Sequence, residues 1–406
     1  MRSDNLVAVL LILVPSAFAA DFGRNNVQKR QTWDFLGSAA ETLGTFRSKG
    51  YGKVPDPPGA APRRVTLEPD FQPVPGTRKV KIRSGPYKVP NMGVKSLSGH
   101  AGMLEGYYDK AVEKPCENCN ILRQVGGLEF VNGSNANIES GLWLHHMVMM
   151  NQGPRRWDPV GVESPVCVPF VVSGTSPSKA ERYFVTGNER TPFTYYIDGI
   201  EKAAYHLDPE DKFGFILELM NMNMQDEVVY ITQTYDILDG PLPAGWKETK
   251  TVFLDVKSCG TSESSPPDGK SSFLLESKPW IPNIQGKILN AGGHLHDGGV
   301  YVDVFANSTD KLCQSIARYS EKPEYIWRGT SMDGEKVAKD HISSMGGCET
   351  KQLAGKEMNR DQSWVIQAQY DFNQKAGNEE GGKMAEVMGI AIVLVAVQSG
   401  PLQPLH

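Results

Sequence analysis

The chain has 406 residues, 40% of them hydrophobic and 22% charged, with a formal net charge of −5 at pH 7. That length suits two ordinary domains rather than one, and the composition is that of a packed globular protein, which excludes intrinsic disorder. The slight acidic excess leaves no basic footprint for nucleic acid.

Arg2 precedes the apolar run LVAVLLILV, and AFAA supplies small residues at Ala19 and Ala20, so residues 1–20 read as a secretory signal peptide. The run is short for a membrane span, and the only other strongly apolar stretch, GIAIVLVAV (389–397), is of strand length. The chain is therefore expected to be secreted, with no membrane span. Residues 21–77 read as a propeptide and linker. Lys29–Arg30 is either a dibasic cleavage point that leaves Gln31 first or two solvated charges. Residues 54–76 hold seven prolines and predict an extended linker rather than a regular element.

From residue 78 the pattern is β. RKVKI, LEFV, LWLHHMVMM, RYFV, FGFILELMN and VVYITQTYDIL are short, several alternate apolar and polar residues, and turn-forming residues bound them. A second set follows: VFLDV, QGKILNAGGHLH, VYVDVF, SWVIQAQYDF and EVMGIAIVLVAV. With few helical patterns, the expectation is all-β: two antiparallel, jelly-roll-like sandwiches in tandem, at 78–257 and 278–400, with a loop over 260–272. Six cysteines in a secreted chain suggest disulfides. Cys313 and Cys348 alone follow the interdomain loop and should pair; Cys116, Cys119, Cys167 and Cys259 would pair among themselves. Asn132 (NGS) and Asn307 (NST) are glycosylation acceptors.

No G-x-S-x-G, H-E-x-x-H or Walker pattern is present. The chemistry lies in histidine and methionine. His145 and His146 are adjacent in a strand, where neighbours point to opposite faces, so joint ligation needs a bulge or a strong twist; one core and one surface histidine is the plainer account. His294 and His296, as H-x-H, share a strand face about 7 Å apart, which suits chelation. Met220, Met222 and Met224 share one strand face, and alternation puts Met147 and Met149 on the face of His145. Thioethers favour copper over zinc or magnesium, or serve as adaptable core filler. Met384 and Met388 lie at the final strand. His100 and His341 read as ordinary surface or core residues, and His206 as a loop residue.

These segments, in this order, resemble the copper type II, ascorbate-dependent monooxygenases, such as peptidylglycine α-hydroxylating and dopamine β-monooxygenase. The resemblance spans roughly residues 78–400, with identity confined to islands. His145-His146-Met147 matches that family's H-H-M strand, His294-Leu295-His296 its H-T-H motif, and AEVMGIAIV its late E-M, which puts Met388 third in the second centre. NRDQSWVIQAQYDF matches loosely. The resemblance implies two copper ions, one per domain, ascorbate as reductant, and hydroxylation of a C–H bond by O₂ in a small-molecule or peptide substrate. The third histidine of the family's first centre is missing, and Met220 falls in its place. HLHDGGVYVDVF and GGKMAEVMGIAIV are also similar to secreted proteins related to the stress-upregulated nodulins. Three readings follow: a secreted copper monooxygenase; a copper-binding or cell-wall protein without turnover; and a plain β-sandwich whose histidines and methionines are core.

Overall fold

The computed structural model describes residues 50–397 except 97, 165, 260–262, 308, 331–334, 350, 351, 354 and 381. The signal peptide, Lys29–Arg30 and the start of the 21–77 segment lie outside the described residues.

The first half holds β1 (Arg78–Val89), β2 (Met103–Val112), β3 (Cys119–Phe130), β4 (Leu142–Gln152), β5 (Ala180–Thr186), β6 (Ala203–Leu207), β7 (Lys212–Asn221), β8 (Glu227–Asp239) and β9 (Lys247–Asp255). The second holds β10 (Ser272–Glu276), β11 (Gly286–His294), β12 (Gly299–Ala306), β13 (Lys311–Tyr319), β14 (Ile342–Met345), β15 (Trp364–Asp371) and β16 (Ile390–Val397). The fold is all-β. One long sheet runs β1-β8-β3-β6-β9-β16-β11. A four-stranded sheet, β2-β7-β4-β5, covers it in the first half, and a five-stranded sheet, β10-β15-β12-β13-β14, in the second.

The halves share that long sheet. β16 pairs antiparallel with β9 on one side and β11 on the other. Its alternation serves two cores: Ile390, Ile392, Leu394 and Ala396 pack into the first, Ala391, Val393, Val395 and Val397 into the second. A strand buried on both faces has no place for polar residues, which is why its sequence is one apolar run. β9 divides likewise, Phe253 facing the first core and Val252 and Leu254 the second.

Two expectations change. The proline-rich segment contains a strand, Arg64–Leu67, paired with β1: prolines at 62 and 69 flank it without removing a ladder N–H within it. The 260–272 loop contributes Glu263–Ser264, which pairs with Val387–Met388. The disulfides are Cys313–Cys348, as expected, with Cys116–Cys119 and Cys167–Cys259. Asn132 and Asn307 are exposed.

Cys313–Cys348 links residues 35 apart, so the chain-entropy argument gives it about 3–4 kcal/mol. Replacing both with serine should lower denaturant stability by about that much without moving the far-UV spectrum; a loss below about 1 kcal/mol would show that the loop is already ordered in the unfolded chain.

Candidate metal centre

β7 lies beside β4 with Glu218 opposite His146; the register then skips His145, and Leu219 faces Leu144. This is the bulge that adjacent ligands require. It turns His145 to the side of His146, and the Nδ1 atoms of both lie against one oxygen of Glu218, at 3.3 and 3.0 Å. Beyond the bulge the strand alternates normally, so Met147 and Met149 pack into the first core rather than sharing the face of His145. Their sulfurs accept hydrogen bonds there, Met147 from Gln233 and Met149 from Gln124, each at 3.2 Å.

The second pair arrives at the end of β11. His294 is opposite Ile390, and His296 follows in the turn to β12. The Tyr370 hydroxyl accepts from the His296 backbone N–H at 2.9 Å and donates to the Met388 carbonyl at 2.6 Å, fixing that turn against the start of β16. Gly187 allows the close packing of His294: a Cβ there would lie 2.8 Å from the imidazole Cε1.

All four imidazoles meet in one cluster. His146 Nε2 and His296 Nε2 are 3.0 Å apart. The His145 ring lies 4.0 Å from His146 and 4.8 Å from His296, and His294 lies 5.1 Å from His146, centroid to centroid. Ligating atoms of His145, His146 and His296 fall within 4.8 Å of one another, as do those of His145, His146, Glu218 and Glu263. The two separate centres implied by the resemblance are thus brought together, because the shared sheet sets β11 beside the first sandwich.

The far ring nitrogens fix the tautomers. His296 Nδ1 donates to the Glu386 carbonyl at 2.7 Å, His146 Nδ1 to Glu218, and His294 Nδ1 to Glu189 at 2.9 Å. Each then presents a bare Nε2, as in carboxylate–histidine–metal arrangements. Two lone pairs 3.0 Å apart repel unless a cation lies between them. Nitrogens about 2.0–2.1 Å from a common ion are about 2.9–3.4 Å apart at bond angles from square to tetrahedral. His294 Nε2 is buried with no hydrogen-bond partner. The residues fit a metal.

For His146 and His296 the electrostatics agree. Burial, with His145 alongside, pushes His146 down to about 3, and burial among the other imidazoles holds His296 well below its ordinary value. Burial also opposes charge on His294, but Glu189 outweighs it and leaves His294 raised. Burial would raise Glu218, yet hydrogen bonds from His145 and His146 bring it well below the carboxylate range. Burial and the neighbouring Glu218 push Glu263 up to about 9.

The remaining expected ligands are placed differently. Met388 packs in the first core beside Ile390; the cleft over the imidazoles shows Met384 instead. Met220 lines that cleft, two residues beyond Glu218 on the same face of β7, while Glu218 contacts His145 and His146. Met222 also lines it, whereas Met224 lies past the end of β7 and is 67% exposed. His206 is a strand residue of β6 bonded to Asn120 at 3.0 Å. His100 lies at the cleft and pairs with Glu380, and His341 is buried against Asp297 at 2.6 Å. Glu189, Glu218 and Glu263 were not anticipated. A lone carboxylate in the apolar strand FGFILELMN was the one available signal.

No protein-family model matches the chain. It is similar to the Probable copper-dependent oxygenase M1 of a Phoma species, 28% identical over 342 residues, covering 84% of this chain and 76% of that protein. It is also similar to the Probable copper-dependent oxygenase clz3 of Cochliobolus lunatus, 28% identical over 277 residues, covering 68% of this chain and 79% of that protein. Among solved structures, the infectious bursal disease virus VP2 subviral particle aligns over 86% of this chain and 76% of its own at 8% identity, with a TM-score of 0.19, too low to carry an argument.

Two titrations of opposite sign follow for the metal-free protein. His146, lowered to about 3 when folded, titrates near 6.5 unfolded, so the unfolded chain takes up the extra proton and stability falls as pH drops from about 6.5 toward about 3. Glu218, also lowered, adds to the loss at the acid end. Glu263, raised to about 9, keeps its proton when folded, so its contribution falls as pH rises from about 4.5 toward 9. Thermal melts in a chelator should show His146→Asn flattening the acid limb and Glu263→Gln the alkaline limb. An alkaline limb unaltered in Glu263→Gln contradicts the assignment.

Proposed function

We propose that the chain is a secreted copper-dependent oxygenase that uses O₂ and an ascorbate-class reductant to hydroxylate a C–H bond. The observation that carries this reading is the pair of bare, tautomer-locked Nε2 atoms of His146 and His296, 3.0 Å apart, with the buried Nε2 of His294 alongside. The names of the two fungal relatives, both copper-dependent oxygenases, favour copper as the ion. Three disulfides and the apolar N-terminus suit an extracellular protein, glycosylated at Asn132 and Asn307. Among the described residues no helix is long and apolar enough to cross a membrane.

His145, His146 and His296, whose ligating atoms lie within 4.8 Å of one another, would hold one ion, with the His294 ring alongside His146. Copper bound there supplies the one-electron and O₂ chemistry that side chains lack. The chain's own residues do the rest. Glu218, Glu189 and the Glu386 carbonyl hold the rings in one tautomer and orientation. Trp143, Leu295 and Phe372 line the cleft with apolar surface that limits water. Glu263 keeps a proton beside the imidazoles.

One centre and two centres give different copper counts. His146→Ala and His296→Ala should each remove most of the copper bound as Cu(II), and the double variant should lose no more than either alone, as read by elemental analysis. Copper losses that add, one equivalent per change, would restore two separate centres. Glu218→Gln should weaken copper binding about 10–100-fold while the fold stays intact. Ascorbate-dependent O₂ uptake by the copper-loaded protein tests turnover; full copper occupancy with no uptake across a panel of amines, peptides and apolar small molecules would leave a copper-binding protein.

A further inference from the structure

The cleft above the imidazoles is lined by Met92, Met103, Met220, Met222 and Met384, five of the chain's 14 methionines. Four of them come from adjoining backbone. Met103 and Met220 are cross-strand partners on β2 and β7, which puts their Cβ atoms about 4.5–5.5 Å apart. Met222 continues from β7, its N–H donating to the Gly141 carbonyl at 2.7 Å. Met92 is held alongside by its N–H donating to the Asn223 carbonyl at 3.1 Å. Gly102 makes the approach possible: a Cβ there would lie 2.2 Å from the Asn221 carbonyl oxygen and 3.1 Å from the Met92 sulfur.

Filling space does not account for this choice. The two large cores are built mainly from valine, isoleucine, leucine and aromatic residues, with five methionines, Met147, Met149, Met345, Met358 and Met388, dispersed among them; the sulfurs of Met147 and Met149 are engaged by Gln233 and Gln124. The small cluster behind the cleft instead packs Met92, Met220 and Met222 against Trp143, Tyr325 and Trp327. Thioethers are neutral, polarisable donors. They select soft cations over zinc, magnesium or calcium, and without anionic ligands they suit a monovalent ion. The cleft also carries more carboxylates than cations, with Glu189, Asp297, Glu379, Glu380 and Glu386 against Lys336, which draws cations inward.

We propose that Met92, Met103, Met220 and Met222 form a second metal site, separate from the imidazole cluster, that takes Cu(I) through thioether sulfur alone. Because both sites open on one cleft, exchange from sulfur to imidazole moves the ion inward by ligand substitution, with no electron transferred. This delivery role rests on the copper reading of the imidazole centre; the thioether site does not.

Ag(I), a redox-inert stand-in for Cu(I), provides the test. In the full chain with ¹³C-methyl methionine, Ag(I) should shift the methyl signals of Met92, Met103, Met220 and Met222 and leave Met147 and Met149 in place, while Zn(II) moves none of them. Met220→Leu with Met222→Leu, a volume-conserving pair, should lower bound Ag(I) by one equivalent and leave Zn(II) binding unchanged. His146→Ala with His296→Ala should do the reverse, abolishing Zn(II) binding while the methyl shifts persist. Static methyls under Ag(I), equal shifts with Zn(II), or an unchanged Ag(I) count in the leucine pair would each overturn the proposal. Failure of the imidazole centre would appear only in the Zn(II) arm.

Discussion

Burial of β16 on both faces is the constraint on which the rest of the molecule depends. Its even-numbered residues complete one core and its odd-numbered residues the other, so neither half can move against the other without exposing apolar surface, at about 25 cal/mol per Å². The same strand sets the site. His294 is registered opposite Ile390, Glu386 and Met388 lead into its first residue, and Tyr370 ties the His296 backbone to Met388. The second histidine pair reaches the first because the sheet is continuous.

Around that junction, a polar cluster is sustained inside largely apolar surroundings by pairing. A buried imidazole or carboxylate is costly unless it is bonded, and here each ring has a fixed partner on its Nδ1 side. One oxygen of Glu218 serves two rings, which only a bulge at His145 allows. What remains is a set of nitrogens facing one another across a gap too short for lone pairs and well sized for an ion.

Much of the fold was legible because strand periodicity is local. The alternating runs and the apolar stretch 389–397 could be read from neighbouring residues, and the Cys313–Cys348 pairing from these being the two cysteines after the 260–272 loop. The histidine pairs were legible as types, since imidazoles in strands are conspicuous. Their convergence was not, because it depends on which strands join β9 and β11, and pairing at such range leaves no mark in a window of ten residues. The carboxylates Glu189 and Glu218 were hidden for a related reason: acidic residues are common, and only the register of β7 against β4 distinguishes this one. A motif match fixes the sequence position of Met388 but not its side-chain surroundings: it packs in the first core, while Met384, four residues earlier, lines the cleft.

The three disulfides span 3, 92 and 35 residues, and each closes its loop within or at the end of one half. None joins the halves. An ion shared by His146 and His296 would close a loop of 150 residues, the longest cross-link in the molecule. By the loop-entropy argument a bond of that reach removes about 5 kcal/mol of disorder from the unfolded chain, and unlike sulfur–sulfur bonds it is undone by a chelator or by protons. An ion held there would thus be a removable staple across a seam that the covalent bonds leave open, so that metal supply and chain integrity would become one variable.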